Sequence, residues 1–208
     1  DLDGTLVDSL PGIAASLNRS LAAHGLPHHS DLTVRSFVGD GLQTLIQRAV
    51  PENANPSLLE SLTTYFKKDY ELNWSTGTAA YPGVLHMLTE LQNNGFEMGV
   101  LSNKVHSFTV AMTRAVFPSI HFAKILGQRD GAPHKPHPAG ALRIANALGA
   151  NAENCIIIGD STIDLETAKN AGMKAIAVAW GYHDRARLQF AGASQIIEKP
   201  SELLRLIS

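Results

Sequence analysis

From about residue 83 onward the chain repeats one pattern: a short, continuous aliphatic run, a polar or glycine-containing turn, then a longer segment with helical spacing. This alternation constrains the fold more than any other feature. Unbroken apolar runs suit strands covered on both faces, and strands separated by helices pair in parallel, so the pattern predicts a parallel sheet wrapped by helices. Pro82-Gly83 opens a helix that runs to Asn94-Gly95, where glycine suits the left-handed cap. Strands are expected at 96–101, 123–126, 155–158 and 175–179, and helices at 107–116, 139–148 and 165–171, the last two closed by Gly149 and Gly172.

Residues 10–78 have no convincing strand. Leu10, Ile13, Leu17 and Leu21 fit one helix face, Leu42, Leu45, Ile46 and Ala49 a second, and Leu58, Leu59, Leu62, Tyr65 and Phe66 a third. The expected organisation is therefore an α/β core of 1–9 and 79–208 interrupted by an all-helical insertion at 10–78. Thr76-Gly77-Thr78 and Tyr81-Pro82-Gly83 mark the return to the sheet.

Four polar clusters fall at or near strand ends: Asp1-Leu2-Asp3-Gly4-Thr5, Ser102-Asn103-Lys104, His134-Lys135-Pro136, and Gly159-Asp160-Ser161-Thr162-Ile163-Asp164. Parallel strands end on one edge of their sheet, so these clusters are expected to converge on one pocket. Asp1 would then need a short apolar strand before it. Singly, each cluster has an ordinary reading: a solvated turn, a helix N-cap at Ser102, a loop lysine, a capped helix start at Asp160–Asp164. An EF-hand is a poorer fit to the first cluster, because Gly4 stands fourth rather than sixth.

Taken in order, the four clusters resemble the four motifs of the haloacid dehalogenase superfamily, and the helical insertion resembles that family's small cap. The resemblance covers essentially the whole chain and implies a Rossmann-like parallel core with an inserted helical cap that opens and closes over the site. Four carboxylates in one pocket would repel one another unless a cation were present, and hard oxygen donors without clustered histidine or cysteine favour Mg2+ over zinc. By resemblance, the ion is held by the Asp1 carboxylate, the Asp3 carbonyl and Asp160, with Asp164 in or just behind that set. Asp1 is the implied nucleophile that forms an aspartyl-phosphate, and Asp3 the acid and base that serves the leaving group and then water. Ser102, with Thr5, Asn103 and Lys135, is assigned to the phosphoryl group, Lys135 offsetting its charge. The dehalogenases of this superfamily lack an acid at the Asp3 position, which points to phosphoryl transfer.

Val38-Gly39-Asp40-Gly41-Leu42 with Leu45 and Arg48-Ala49, Tyr81-Pro82-Gly83-Val84, Ser102-Asn103-Lys104, His134-Lys135-Pro136-His137-Pro138 and Trp180-Gly181-Tyr182 resemble phosphoglycolate phosphatases. Ser102 and Val105 depart from that family's usual threonine and proline. The expected reaction is Mg2+-dependent hydrolysis of a small phosphate monoester, 2-phosphoglycolate first, with Gly39, Gly41 and Arg48, or Arg35, as cap candidates for substrate choice. A sugar-phosphate mutase and a non-catalytic binding protein on the same fold are the alternatives. His28-His29 and His134 with His137 read as solvated or locally bonded rather than metal-binding.

Composition narrows the partners. Hydrophobic residues make up 44% and charged residues 17% of the chain, and a net charge of −2 gives no reason to expect nucleic acid. No stretch approaches a membrane span. The single cysteine, Cys155, reads as a small apolar residue on a buried strand, and a reducing cytoplasm is the expected location.

Overall fold

The computed structural model describes residues 1–207. Asp8–Ala79 forms one compact unit, and the rest of the described chain forms the other. The first short strand is Val7–Asp8 (β1). The helical unit follows with Leu10–Ala23 (α1), Asp31–Phe37 (α2), Leu42–Arg48 (α3) and Pro56–Asn73 (α4), and the chain leaves it through Ala79–Ala80 (β2). Local chemistry explains these boundaries. Ser30 and Asn55 accept hydrogen bonds from the main-chain N–H groups of Thr33 and Leu58, satisfying donors that the first turns of α2 and α4 leave open. Pro56 suits the first turn of α4, where no N–H is needed. Leu17, Leu21, Val34, Ile46, Leu62, Phe66 and Tyr70 are buried, and α1 packs on α2 and α4. The helix α2, with only Val34 buried, has no stripe that periodicity detects.

In the second unit Val84–Asn93 (α5), Gly99–Val105 (β3), His106–Val116 (α6), Lys124–Gln128 (β4), Ala139–Ala147 (α7), Ile156–Gly159 (β5), Thr162–Ala171 (α8) and Lys174–Val178 (β6) alternate as the sequence predicts. Arg185–Phe190 (α9), Ile196–Ile197 (β7) and Pro200–Ile207 (α10) extend the pattern. All the ladders among β3 to β7 are parallel: β3 with β4, β5 with β6, and β6 with β7. Asp1 lies beside β5, its main-chain nitrogen 2.7 Å from the Ile158 carbonyl. Helices α6 and α7 pack on β3 and β4, and α8 packs on β5 and β6. Helix cover fits the aliphatic runs of β3, β4 and β6, whereas β5 is more open than its sequence suggests: Ile156 is 39% exposed and Ile157 and Ile158 are half-buried.

Two boundaries moved for identifiable reasons. Strand β3 starts at Gly99, not 96, because the Phe96 N–H closes the end of α5 on the Leu91 carbonyl. Helix α8 starts at Thr162, not 165, because Ser161 and Asp164 form a reciprocal capping box. Cys155 sits one residue before β5 and is half-buried, not a core strand residue. Among the described residues, no helix is long and apolar enough to cross a membrane.

Candidate active site

The site is built on a tight coil at the start of the chain. The N–H groups of Thr5, Leu6 and Val7 all donate to the Leu2 carbonyl, and Leu2 and Val7 are fully buried. These two apolar anchors leave Asp1 and Asp3 on the coil's polar side. Gly4 has φ +84°, and a Cβ there would lie 2.3 Å from Asp160 Oδ2, so glycine is required both by conformation and by space.

Ser102, Asn103 and Lys104 lie where the β3–β4 register slips: Leu101 pairs with Leu126, but Val105 pairs with Gln128. Four steps on β3 thus face two on β4. Such a bulge frees the intervening side chains from strict alternation, and both Ser102 and Asn103 are buried. The Asn103 amide makes two hydrogen bonds with the main chain of Lys135, to its carbonyl at 3.0 Å and from its N–H at 2.8 Å. Lys135 is thereby held so that its ammonium reaches Asp1 Oδ1 at 2.8 Å and Asp164 Oδ1 at 2.7 Å. Asp164 also accepts from the Ser161 N–H and hydroxyl through Oδ2. A Cβ on Gly159 would lie 2.1 Å from the Asp164 carboxyl carbon, so the end of β5 must be glycine.

Asp160 is held differently. Oδ1 accepts from the Thr5 hydroxyl at 3.1 Å, and Oδ2 from the Tyr182 N–H at 2.7 Å. Trp180 ties the same loop to the coil through Nε1 and the Thr5 carbonyl at 2.9 Å. Burial, reinforced by Asp164, pushes the Asp160 carboxyl up to about 6, against the pull of the Tyr182 bond, Lys135 and Thr5. Burial also acts upward on Asp164, but the positive charge around it, that of Lys135 first and of the Asp1 amino group next, together with its hydrogen bonds from Lys135 and Ser161, holds that carboxyl below its ordinary value.

One oxygen each from Asp1, Asp160 and Asp164 lies within 4.8 Å of the others. Three carboxylates crowd around the Lys135 ammonium there, an excess of negative charge that a divalent cation would offset. All the donors are hard oxygens, which suits Mg2+.

Asp3 stands apart from that trio and pairs with Lys104, Nζ to Oδ1 at 3.0 Å. Sequence reasoning placed Lys104 in the second cluster but gave it no role; its side chain is only 8% exposed. It also missed the loop from Trp180 to Tyr182 as the support of Asp160, although Gly181 was a signal. A Cβ on Gly181 would lie 2.2 Å from Asp160 Cβ and 2.3 Å from the Gly4 carbonyl oxygen.

Three expectations change at the level of contacts. The Thr5 hydroxyl has one proton and gives it to Asp160, so Thr5 supports that carboxylate rather than the phosphoryl site. The Asn103 amide braces Lys135 with one donated and one accepted bond, a role its residue type does not announce. Ser102 caps no helix; its Oγ accepts from the Lys104 N–H at 3.1 Å, which leaves the hydroxyl proton to donate.

Within the helical unit, Gly39 and Gly41 have φ +126° and +85°, a backbone that favours glycine. Arg48 pairs with Asp40 at 2.6 Å and donates to the Phe37 carbonyl. His29 bonds the Ala49 carbonyl through Nε2, and His137 Nδ1 accepts from the Ala139 N–H. Both are engaged locally.

Residues 1–178 match the model of the haloacid dehalogenase-like hydrolase family. The chain is 33% identical over 186 residues to a phosphoglycolate phosphatase of Yersinia pestis, covering 88% of this chain and 80% of that protein. It is 33% identical over 199 residues to one from Mesorhizobium japonicum, covering 94% and 88%. The crystal structure of a predicted phosphoglycolate phosphatase from Haemophilus somnus superposes with a TM-score of 0.93 at 27% identity, covering 100% of this chain and 96% of that one.

Proposed function

The chain belongs to the haloacid dehalogenase-like hydrolases, and from that premise we propose that it is a Mg2+-dependent phosphatase acting on a small phosphate monoester, 2-phosphoglycolate first, through an aspartyl-phosphate. The observation that carries the reading is the separation of the two N-terminal aspartates. Asp1 belongs to a buried carboxylate trio with Lys135, whereas Asp3 lies outside it.

Asp1, Asp160 and Asp164 would hold the cation, which when bound would offset the negative charge that otherwise drives nucleophile and phosphoryl group apart. An Asp1 oxygen attacks phosphorus in line; its bond to phosphorus forms as the bond to the leaving oxygen breaks. Asp3 gives that oxygen its proton, and in the second step takes one from the water that cleaves the aspartyl-phosphate. The Ser102 hydroxyl donates to a phosphoryl oxygen. Lys135, already within 2.8 Å of Asp1, offsets the negative charge that gathers as the phosphoryl group arrives. The choice of 2-phosphoglycolate is supported by what the relatives are called.

A panel of phosphorylated metabolites assayed with Mg2+ tests the reading, alongside Asp1→Asn, which keeps size and removes the nucleophile's charge. Turnover of 2-phosphoglycolate above the other esters, abolished in D1N with folding intact, is the expected result. Full activity in D1N would sink the mechanism, and a different preferred ester would replace the substrate.

A further inference from the structure

The least expected group in the site is a buried lysine with no part in the motif chemistry. An ammonium withdrawn from water is costly unless it is paired closely and held rigidly. Lys104 meets both conditions. Its side chain is 8% exposed and that of its partner Asp3 is 11% exposed, so this is not a solvated surface pair. Its main chain is fixed on both sides, the N–H on Ser102 Oγ and the carbonyl accepting from Thr109 Oγ1, each at 3.1 Å. Gly127 packs against the same carbonyl so closely that a Cβ there would lie 2.6 Å away. The bulge in β3 thus aims this ammonium at one carboxylate.

That aim separates two acids that sequence places side by side. Asp1 and Asp3 are two residues apart on one tight coil, and Asp160 and Asp164 lie near Asp1. A free Asp3 carboxylate would be drawn by any cation held in that trio. The two lysines divide the work: Lys135 engages Asp1 and Asp164, while Lys104 engages Asp3.

We propose that Lys104 is a positioning residue that holds the Asp3 carboxylate away from the metal-binding acids and toward the leaving-group oxygen. This rests on the reading of Asp3 as the acid and base of the reaction. Loss of the ammonium lets Asp3 leave that position, and the proton reaches the leaving oxygen less often.

The dependence on leaving group tests this, because p-nitrophenolate departs without a proton and the alkoxide of 2-phosphoglycolate does not. Asp3→Asn, Lys104→Met and Lys104→Arg are compared on both esters with Mg2+, with thermal unfolding as a check on folding. The expected result for K104M is a kcat on 2-phosphoglycolate lower by roughly tenfold or more, with p-nitrophenyl phosphate affected less than about threefold, following the pattern of D3N. K104R, which keeps a cation in reach, restores part of the loss. Equal losses on both esters, or none, overturn the proposal. A raised KM for 2-phosphoglycolate at unchanged kcat also overturns it, making Lys104 a contact for the substrate carboxylate. If D3N itself does not discriminate between the esters, it is the reading of Asp3 that fails. Should K104M lose its fold, K104Q, whose amide still donates one hydrogen bond, carries the same comparison.

Discussion

Gly181→Ala is the sharpest test of how the loop after β6 supports the acidic site. The glycine has no positive φ to protect, so the whole effect of a methyl group there is steric. Built on the backbone, its Cβ lies 2.2 Å from Asp160 Cβ and 2.3 Å from the Gly4 carbonyl oxygen. Carbon atoms rest about 3.5–4.0 Å apart, so something must move by more than about 1 Å. Neither neighbour is the tip of a flexible side chain: one is a Cβ, the other main chain. Overpacking of this kind costs about 1–3 kcal/mol. Moving the loop also weakens the Tyr182 N–H bond to Asp160, a bond to a charged group worth about 1.5–3 kcal/mol. A total near 3 kcal/mol lowers Tm by roughly 6–12 °C in a chain of this size. Gly95→Ala is the control in the same unit: it has φ +77° but nothing within 4 Å, so it carries only the left-handed backbone cost of about 1–2 kcal/mol. Thermal unfolding of both variants by circular dichroism makes the comparison. A G181A protein no less stable than G95A would refute the claim that the loop is wedged against Asp160.

Two other outcomes follow from the electrostatics. If the acidic trio holds Mg2+ as proposed, the ion binds the folded state alone, so at a hundred times its Kd it should add about 2.7 kcal/mol and raise Tm by several degrees; the shift should vanish in Asp160→Asn, and a shift that survives there would remove Asp160 from the cation site. In the helical unit, Arg19 grips Asp69 with two bonds of 2.8 and 2.7 Å, which holds the Asp69 carboxyl below its usual value. A depressed carboxyl stabilises above the unfolded value of about 4 and loses that stabilisation as pH falls through the folded one. With Arg19 45% exposed, Asp69→Asn should cost no more than about 1 kcal/mol at pH 7 and nothing once both states are protonated, as urea unfolding at the two pH values would show.

The sheet core was legible because its signal is redundant. Aliphatic runs, glycine caps and strand-end acids all demand the same parallel arrangement, and the positive φ at Gly83, Gly95, Gly149 and Gly172 agrees with their reading as helix boundaries. Asp1, Lys135 and Asp164 could be expected together because parallel strands end on one edge. What escaped was carried by main-chain groups and local exchanges. The Tyr182 N–H that braces Asp160 has no residue type to betray it, and Gly181 is one glycine among 17. Nothing in the sequence marks Lys104 for burial; it lies where the β3 register slips, with its side chain 8% exposed. Thr5 looks like a phosphate donor by type, yet its hydroxyl proton goes to Asp160, and Asn103 also braces Lys135, which only geometry decides.

The unequal treatment of the three clustered acids says where a cation does most. Asp1 and Asp164 share the Lys135 ammonium, and Asp164 adds the capping bonds of Ser161. Asp160 accepts only from neutral donors, the Thr5 hydroxyl and the Tyr182 N–H, while fully enclosed beside Asp164. Its carboxyl is therefore raised to about 6 while Asp164's is lowered, although both are buried. A carboxyl raised in the folded state binds a proton there that the unfolded chain has already released, so between about pH 4 and that value rising pH works against the cation-free fold. The same imbalance favours the metal-bound chain at neutral pH, because a cation supplies Asp160 with the charged partner that Lys135 gives the other two. On this argument the loop wedged by Gly181 and the coil fixed by Gly4 hold in place the one acid that would otherwise turn toward water.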